Sequence, residues 1–113
     1  MLPPGVRADR PSPCDLYYRA GENVSLPCHN VINPDCSSTT WKYWRKKLVR
    51  QGTVREDSKR GGRLSLESNC SLTVRDVRAE DAGQYTCQQF DKDGRQQGKD
   101  ADVYLNVLIS EYL

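Results

Sequence analysis

The chain carries one histidine, one methionine and one phenylalanine in 113 residues. That single histidine removes most of the catalytic and metal chemistry a small domain could host. His29 directly follows Cys28 and no Cys-x-x-Cys pair occurs, so the ligand spacing of a structural zinc site is missing. No serine or cysteine nucleophile motif is present either, which leaves no triad to assemble. Asp91-Lys92-Asp93-Gly94 has the opening letters of a calcium loop. The glutamate that should close such a loop is Asp102 instead, and a hairpin turn accounts for the rest. The expectation is a chain that is not an enzyme and holds no metal and no cofactor.

Other absences narrow the partners. No apolar run approaches the ~18 residues of a membrane-spanning helix. Met1-Leu2-Pro3-Pro4-Gly5 lacks the apolar core of a secretory signal, so such a signal is expected to have been removed. The native protein is expected to continue past Leu113 into a stalk, a second domain or a membrane anchor. Basic and aromatic residues are not interleaved in any nucleic-acid motif, and none is expected to bind. A formal charge of +2 implies no polyanionic partner by itself.

What the chain does have is cysteine. Five in so short a sequence point to an oxidising compartment. Two N-glycosylation sequons, Asn23-Val24-Ser25 and Asn69-Cys70-Ser71, point the same way. The expected location is extracellular, on a cell surface or secreted.

Pro3, Pro4 and Pro11 mark residues 1–12 as a flexible lead-in, with one domain over 13–109 and a tail over 110–113. Inside the domain, short alternating stretches are separated by turn residues and no helical stripe appears, the pattern of an antiparallel sandwich. Val24, Leu26 and Cys28 share one face of a first strand, and Thr39 to Lys46 reads as a second in which Trp41 and Tyr43 point together. Leu64 with Leu66, Cys70 with Leu72 and Val74, Tyr85 with Cys87 and Gln89, and Val103 with Leu105 and Val107 repeat that alternation. Residues 48–54 suggest one further edge strand, and Asp91 to Gly94 a turn.

Cys28, Trp41, Leu72 and the run Asp81-Ala82-Gly83-Gln84-Tyr85-Thr86-Cys87 resemble the D-x-G-x-Y-x-C signature of immunoglobulin domains. The resemblance spans residues 13–109 and implies an all-β, two-sheet antiparallel sandwich of the V-set (variable-like) kind. It implies a Cys28–Cys87 disulfide between the sheets, worth about 4 kcal/mol on the chain-entropy account. Trp41 is expected beside that bridge, Tyr85 as a tyrosine corner and Arg63 in an ion pair with Asp81. All of these are scaffold residues. Cys36-Ser37-Ser38-Thr39-Thr40-Trp41, Asn69-Cys70-Ser71-Leu72 and Ala79-Glu80-Asp81-Ala82-Gly83 further resemble fish-type, non-rearranging leukocyte receptors. Gly98-Lys99-Asp100-Ala101-Asp102 stands where antigen receptors carry a Phe/Trp-Gly-x-Gly bulge, which argues against an antibody or T-cell receptor domain.

In such a sandwich Cys36 and Cys70 fall at the end where binding loops cluster, so a Cys36–Cys70 disulfide is expected. It would either pre-organise the first loop for binding or only add stability. Cys14 is left over, with three open fates: a free thiol, a link between chains, or a partner elsewhere in a longer protein.

The V-set resemblance places partner binding on the sheet that carries Trp41, Tyr85 and Val103. If these face inward, strand parity turns Lys42, Trp44 and Lys46 outward, with Thr86, Gln88 and Phe90, and with Tyr104 and Asn106. Trp44, Phe90 and Tyr104 would then form one aromatic surface flanked by Gln88 and Lys42, and aromatics dominate binding hot spots. The bland alternative is that loops or a neighbouring domain cover them. Arg45, Lys46, Lys47, Arg50, Arg55, Lys59, Arg60 and Arg63 form a basic band. It would suit an acidic protein or a sulfated glycan, or simply blunt a sheet edge. The function implied is ligand recognition by a cell-surface immune-type receptor or adhesion protein, through a protein on another cell or a homodimer partner. Asn23 and Asn69 are the expected glycan acceptors.

Overall fold

The computed structural model of the chain describes residues 14–55 and 59–109. The expected lead-in and tail lie outside the described residues. Among those described, the alternating segments form β1 (Asp15–Arg19), β2 (Val24–Leu26), β3 (Thr39–Tyr43), β4 (Lys46–Arg50), β5 (Thr53–Val54), β6 (Leu64–Leu66), β7 (Leu72–Val74), β8 (Gly83–Gln89) and β9 (Ala101–Leu108). A six-stranded sheet runs β1-β9-β8-β3-β4-β5 and a three-stranded sheet runs β2-β7-β6. The two inner faces make the core. Val24, Leu26, Leu72 and Val74 come from the small sheet and meet Trp41, Tyr85, Val103 and Leu105 from the large one.

Two disulfides staple this core as expected, Cys28–Cys87 and Cys36–Cys70. Cys28 lies two residues beyond β2. Pro27 has no N–H to donate, so the ladder stops at Leu26 while the chain stays close enough to reach β8. Trp41 is wholly buried beside the bridge, and its indole N–H donates to the Cys70 carbonyl.

Below the core, the Arg63 guanidinium donates to both Asp81 carboxylate oxygens at 2.8 and 3.1 Å. The Tyr85 hydroxyl donates to the Asp81 carbonyl at 2.7 Å, closing the tyrosine corner. Burial pushes the Tyr85 phenol far above its ordinary range, and the Asp81 hydrogen bond pushes Arg63 up, so neither group changes charge at physiological pH.

Besides Cys28, Cys70 also falls outside the strand it was expected to share with Leu72 and Val74, because its φ of 70° turns the chain before β7, and three further details differ from the sequence reading. The strand expected over Thr39 to Lys46 ends at Tyr43, because Trp44 adopts φ 53° and turns the chain. Tyr43 pairs with Lys46 across a two-residue hairpin instead. The single edge strand expected over 48–54 is two strands, β4 and β5, split at Gln51-Gly52, both with positive φ. That pairing of dihedrals is the hairpin geometry whose twist matches the flanking strands. Finally, β1 is an additional strand, paired parallel to β9 from Asp15↔Tyr104 to Arg19↔Leu108.

Candidate protein-binding face

The solvent side of the large sheet is built in rows by strand register. Lys47 opposes Lys42 on the neighbouring strand, Lys42 opposes Thr86, and Thr86 opposes Asp102. Residues directly opposite in an antiparallel pair project to the same side. Trp41, Tyr85, Cys87 and Val103 are buried in the core, so Lys42, Thr86 and Asp102 between them face outward. One row further, Gln84 pairs with Tyr104 and the Trp44 N–H donates to the Gln84 carbonyl. Trp44 and Tyr104 therefore meet across β8, with ring centroids 6.4 Å apart in an edge-on arrangement.

Trp44 is 49% exposed, yet its position is specified. Its ring also meets Tyr43 edge-on at 6.0 Å, and Gly83 lies directly beneath. A Cβ at Gly83 would come within 2.9 Å of the Tyr43 ring and 3.0 Å of the Trp44 indole nitrogen. The glycine of the D-x-G-x-Y-x-C run thus leaves room for the two aromatics as well as allowing its own φ of 142°.

The expected aromatic trio is only a pair. Phe90 is half-buried and bridges to Gln96, with its N–H on the Ser38 carbonyl. It stands six residues beyond Gln84 along the β8 line, about 20 Å away at ~3.3 Å per residue. Phe90 belongs to the loop end of the sandwich. Gln88 points outward but is only 7% exposed, since its amide donates to Asp100 at 2.9 Å. Asn106, expected outward, is fully buried under β1, where its amide donates to the Leu16 carbonyl at 3.2 Å.

The basic band also shrinks. Arg60 is 2% exposed, packed over the Tyr43 ring at 4.2 Å and 3.5 Å from Asp81. Arg63 is committed to Asp81 as well. Arg45, Lys46, Lys47, Arg50, Arg55 and Lys59 remain exposed. Beside the remaining cations, the outer face carries two carboxylates that the expected binding surface did not include. Asp102 lies on β9 and accepts from the Thr86 hydroxyl at 2.8 Å. Asp100 accepts from Gln88 and Gln96, and these hydrogen bonds, with the field of Lys42, hold its carboxyl below the ordinary range against mild desolvation. Extending the Val103/Leu105 alternation back to Ala101 would have placed Asp102 on this face.

At the loop end, the Cys36–Cys70 bridge holds the segment between β2 and β3. Asn30 on that segment donates to the Cys87 and Lys99 carbonyls at 3.1 and 2.9 Å. The Asp91 to Gly94 turn forms as expected, with the Gly94 N–H on the Asp91 carbonyl. Both sequon asparagines are exposed. They flank the small sheet, away from the aromatic pair: Asn23 precedes β2 and Asn69 precedes β7.

The intersheet disulfide, the tryptophan packed on it and the tyrosine corner define a variable-type immunoglobulin domain. The profile of the Immunoglobulin V-set domain matches residues 12–108, and the chain belongs to that family. Leucine-rich repeat-containing protein 4 of Homo sapiens is 31% identical over 100 residues, which is 88% of this chain but 14% of that protein. The first Ig-like domain of human CD48 antigen superposes with a TM-score of 0.69 at 22% identity, covering 94% of this chain and 90% of that one. The structure of Dpr1 IG1 bound to DIP-eta IG1 gives 0.61 at 17% identity, with 88% and 93% covered. At those identities the two structures share the fold. The narrower likeness to fish-type receptors rests on its sequence segments alone.

Proposed function

We propose that this domain is the extracellular recognition module of a membrane-anchored immune-type receptor or adhesion protein, and that it binds a protein through the solvent face of its six-stranded sheet. The observation that carries the reading is the Trp44–Tyr104 pair, two touching aromatics on that face, one of them half exposed. Aromatic anchors at the centre of a surface, ringed by polar side chains, are the usual seat of binding energy. Lys42, Gln88 and Asp102 supply that polar surround. The outer face of the small sheet offers a contrast. There Glu67 accepts from the Ser25 and Thr73 hydroxyls and Arg75 donates to Ser65, a self-satisfied polar surface. A domain of the same fold has been seen bound to another such domain, Dpr1 IG1 with DIP-eta IG1, which supports an immunoglobulin domain as the kind of partner.

The test is a pull-down from cell surfaces of the source organism with the tagged domain. Tyr104→Ala is expected to abolish capture and Thr73→Ala to leave it intact. Capture that survives Tyr104→Ala and fails with Thr73→Ala would move the site to the other sheet.

A further inference from the structure

We infer that the partner of this face is a second copy of the same chain, docked face to face about a two-fold axis that runs parallel to β8. The inference rests on the recognition reading above and adds the partner's identity. Its basis is how charge is divided across the register row. From Lys47 through Lys42 and Thr86 to Asp102, the row reads positive, positive, neutral, negative. The division continues beside it. β4 contributes Lys47 and Arg50, while Lys46, opposite the inward Tyr43, leaves this face; β8 contributes Gln84, Thr86 and Gln88, and Asp100 and Asp102 lie just before and within the first residues of β9. The face is thus basic on one flank, neutral along its midline and acidic on the other.

Such a face complements itself in one orientation only. Adjacent strands lie about 4.8 Å apart, so Lys42 and Asp102 stand about 5 Å either side of β8. A two-fold axis in the interface and parallel to β8 exchanges the flanks. Lys42 of one copy then opposes Asp102 of the other, and by symmetry the contact occurs twice. The same axis sets Trp44 of one copy opposite Tyr104 of the other, so the aromatic row is matched together with the charged one. An axis perpendicular to the strands would instead oppose Lys42 to Lys42 and Asp102 to Asp102, and like charges in a contact are strongly disfavoured. A partner of one charge sign would meet repulsion from one flank or the other. A second copy meets none.

Sedimentation equilibrium of the 113-residue chain tests this, with non-reducing electrophoresis run alongside to exclude Cys14-linked dimers. Wild type is expected to show a concentration-dependent dimer. Lys42→Asp and Asp102→Lys are each expected to weaken it by at least about tenfold, with melting midpoints near wild type. Mixed in equal amounts, the two variants are expected to dimerise with each other about as tightly as wild type, because every opposed pair is again of unlike sign. A wild-type chain that stays monomeric up to about 1 mM overturns the inference. If that monomer still captures a cell-surface protein through Tyr104, the recognition reading stands with a different partner. A mixture no tighter than its components overturns the inference as well.

Discussion

The indole N–H of Trp41 donates to the carbonyl oxygen of Cys70 over 2.9 Å, so the core tryptophan and the second disulfide hold one another in place. Cys70 sits at φ 70°, outside β7, and presents that carbonyl inward where a regular strand would not. The bridge to Cys36 closes a sequence separation of 34 residues.

Replacing both members with serine should therefore cost stability from two sources, the loop-closure entropy and a loosened Trp41 contact. The first alone amounts to about 4 kcal/mol. Chemical denaturation of the Cys36→Ser/Cys70→Ser variant should show a loss of that order. Non-reducing peptide mapping of wild type should recover Cys28–Cys87 and Cys36–Cys70 peptides and none joining Cys14 to Cys36 or Cys70.

Gly52 links the turn between β4 and β5 to that same loop. At φ 88° it is in the left-handed region, and a Cβ there would lie 2.9 Å from the Cys36 carbonyl oxygen. Both the dihedral and the contact oppose a side chain. Gly52→Ala should destabilise the domain by about 1–3 kcal/mol, visible as a lower melting midpoint with the disulfides intact.

Asp100 gives a pH signature. Its folded-state pKa is depressed, first by the Gln88 hydrogen bond, so its charge contributes stability that is present above the ordinary carboxylate value of about 3.9. That stability is lost as pH falls through the lower folded value. Asp100→Asn should be slightly less stable than wild type at pH 7, by at most about 1 kcal/mol after solvent screening. As pH falls through that lowered value the two stabilities should converge. A gap that widens on acidification would contradict the assigned hydrogen bonds.

Glycosylation should report the accessible edge of the small sheet. Asn23 uses its side-chain oxygen to accept the Asp76 N–H, and Asn69 likewise accepts from Ser71. Both therefore have their side-chain nitrogens, the atoms that carry a glycan, outside those bonds. Secretion from a eukaryotic host should give a glycosidase-sensitive mass shift at Asn23, and removing that glycan should not alter binding through the opposite sheet.

The elements legible from sequence were those where periodicity and side-chain chemistry agree. Val24 with Leu26, Leu72 with Val74 and Tyr85 with Cys87 alternate cleanly and are buried as read. The hairpin at Trp44-Arg45 was not legible, because neither residue carries turn chemistry. The turn is held by a tertiary backbone contact, the Trp44 N–H on the Gln84 carbonyl, which no local sequence signal announces. Parity still put Trp44 on the surface, though through a strand that does not extend that far. Parity misjudged Asn106 because β1 was not read as a strand, and it is β1 that covers it. Arg60 looked like part of a basic band because a sequence shows charge but not that a guanidinium lies over Tyr43 and beside Asp81.

The most direct test of the proposed binding face is a paired measurement of melting and binding on Trp44→Gly and Trp41→Ala. Glycine suits the φ of 53° at position 44, so the first variant removes the aromatic without straining the turn. It should melt within a few degrees of wild type while binding, read as self-association or as capture of a cell-surface partner, weakens by about 2 kcal/mol or more. Trp41→Ala empties the core beside the disulfide and should cost about 3–5 kcal/mol of stability. The opposite pairing would show that the face described here is the core: Trp44→Gly unfolded and Trp41→Ala tolerated. A well-folded Trp44→Gly that binds as wild type would contradict the recognition role of the face.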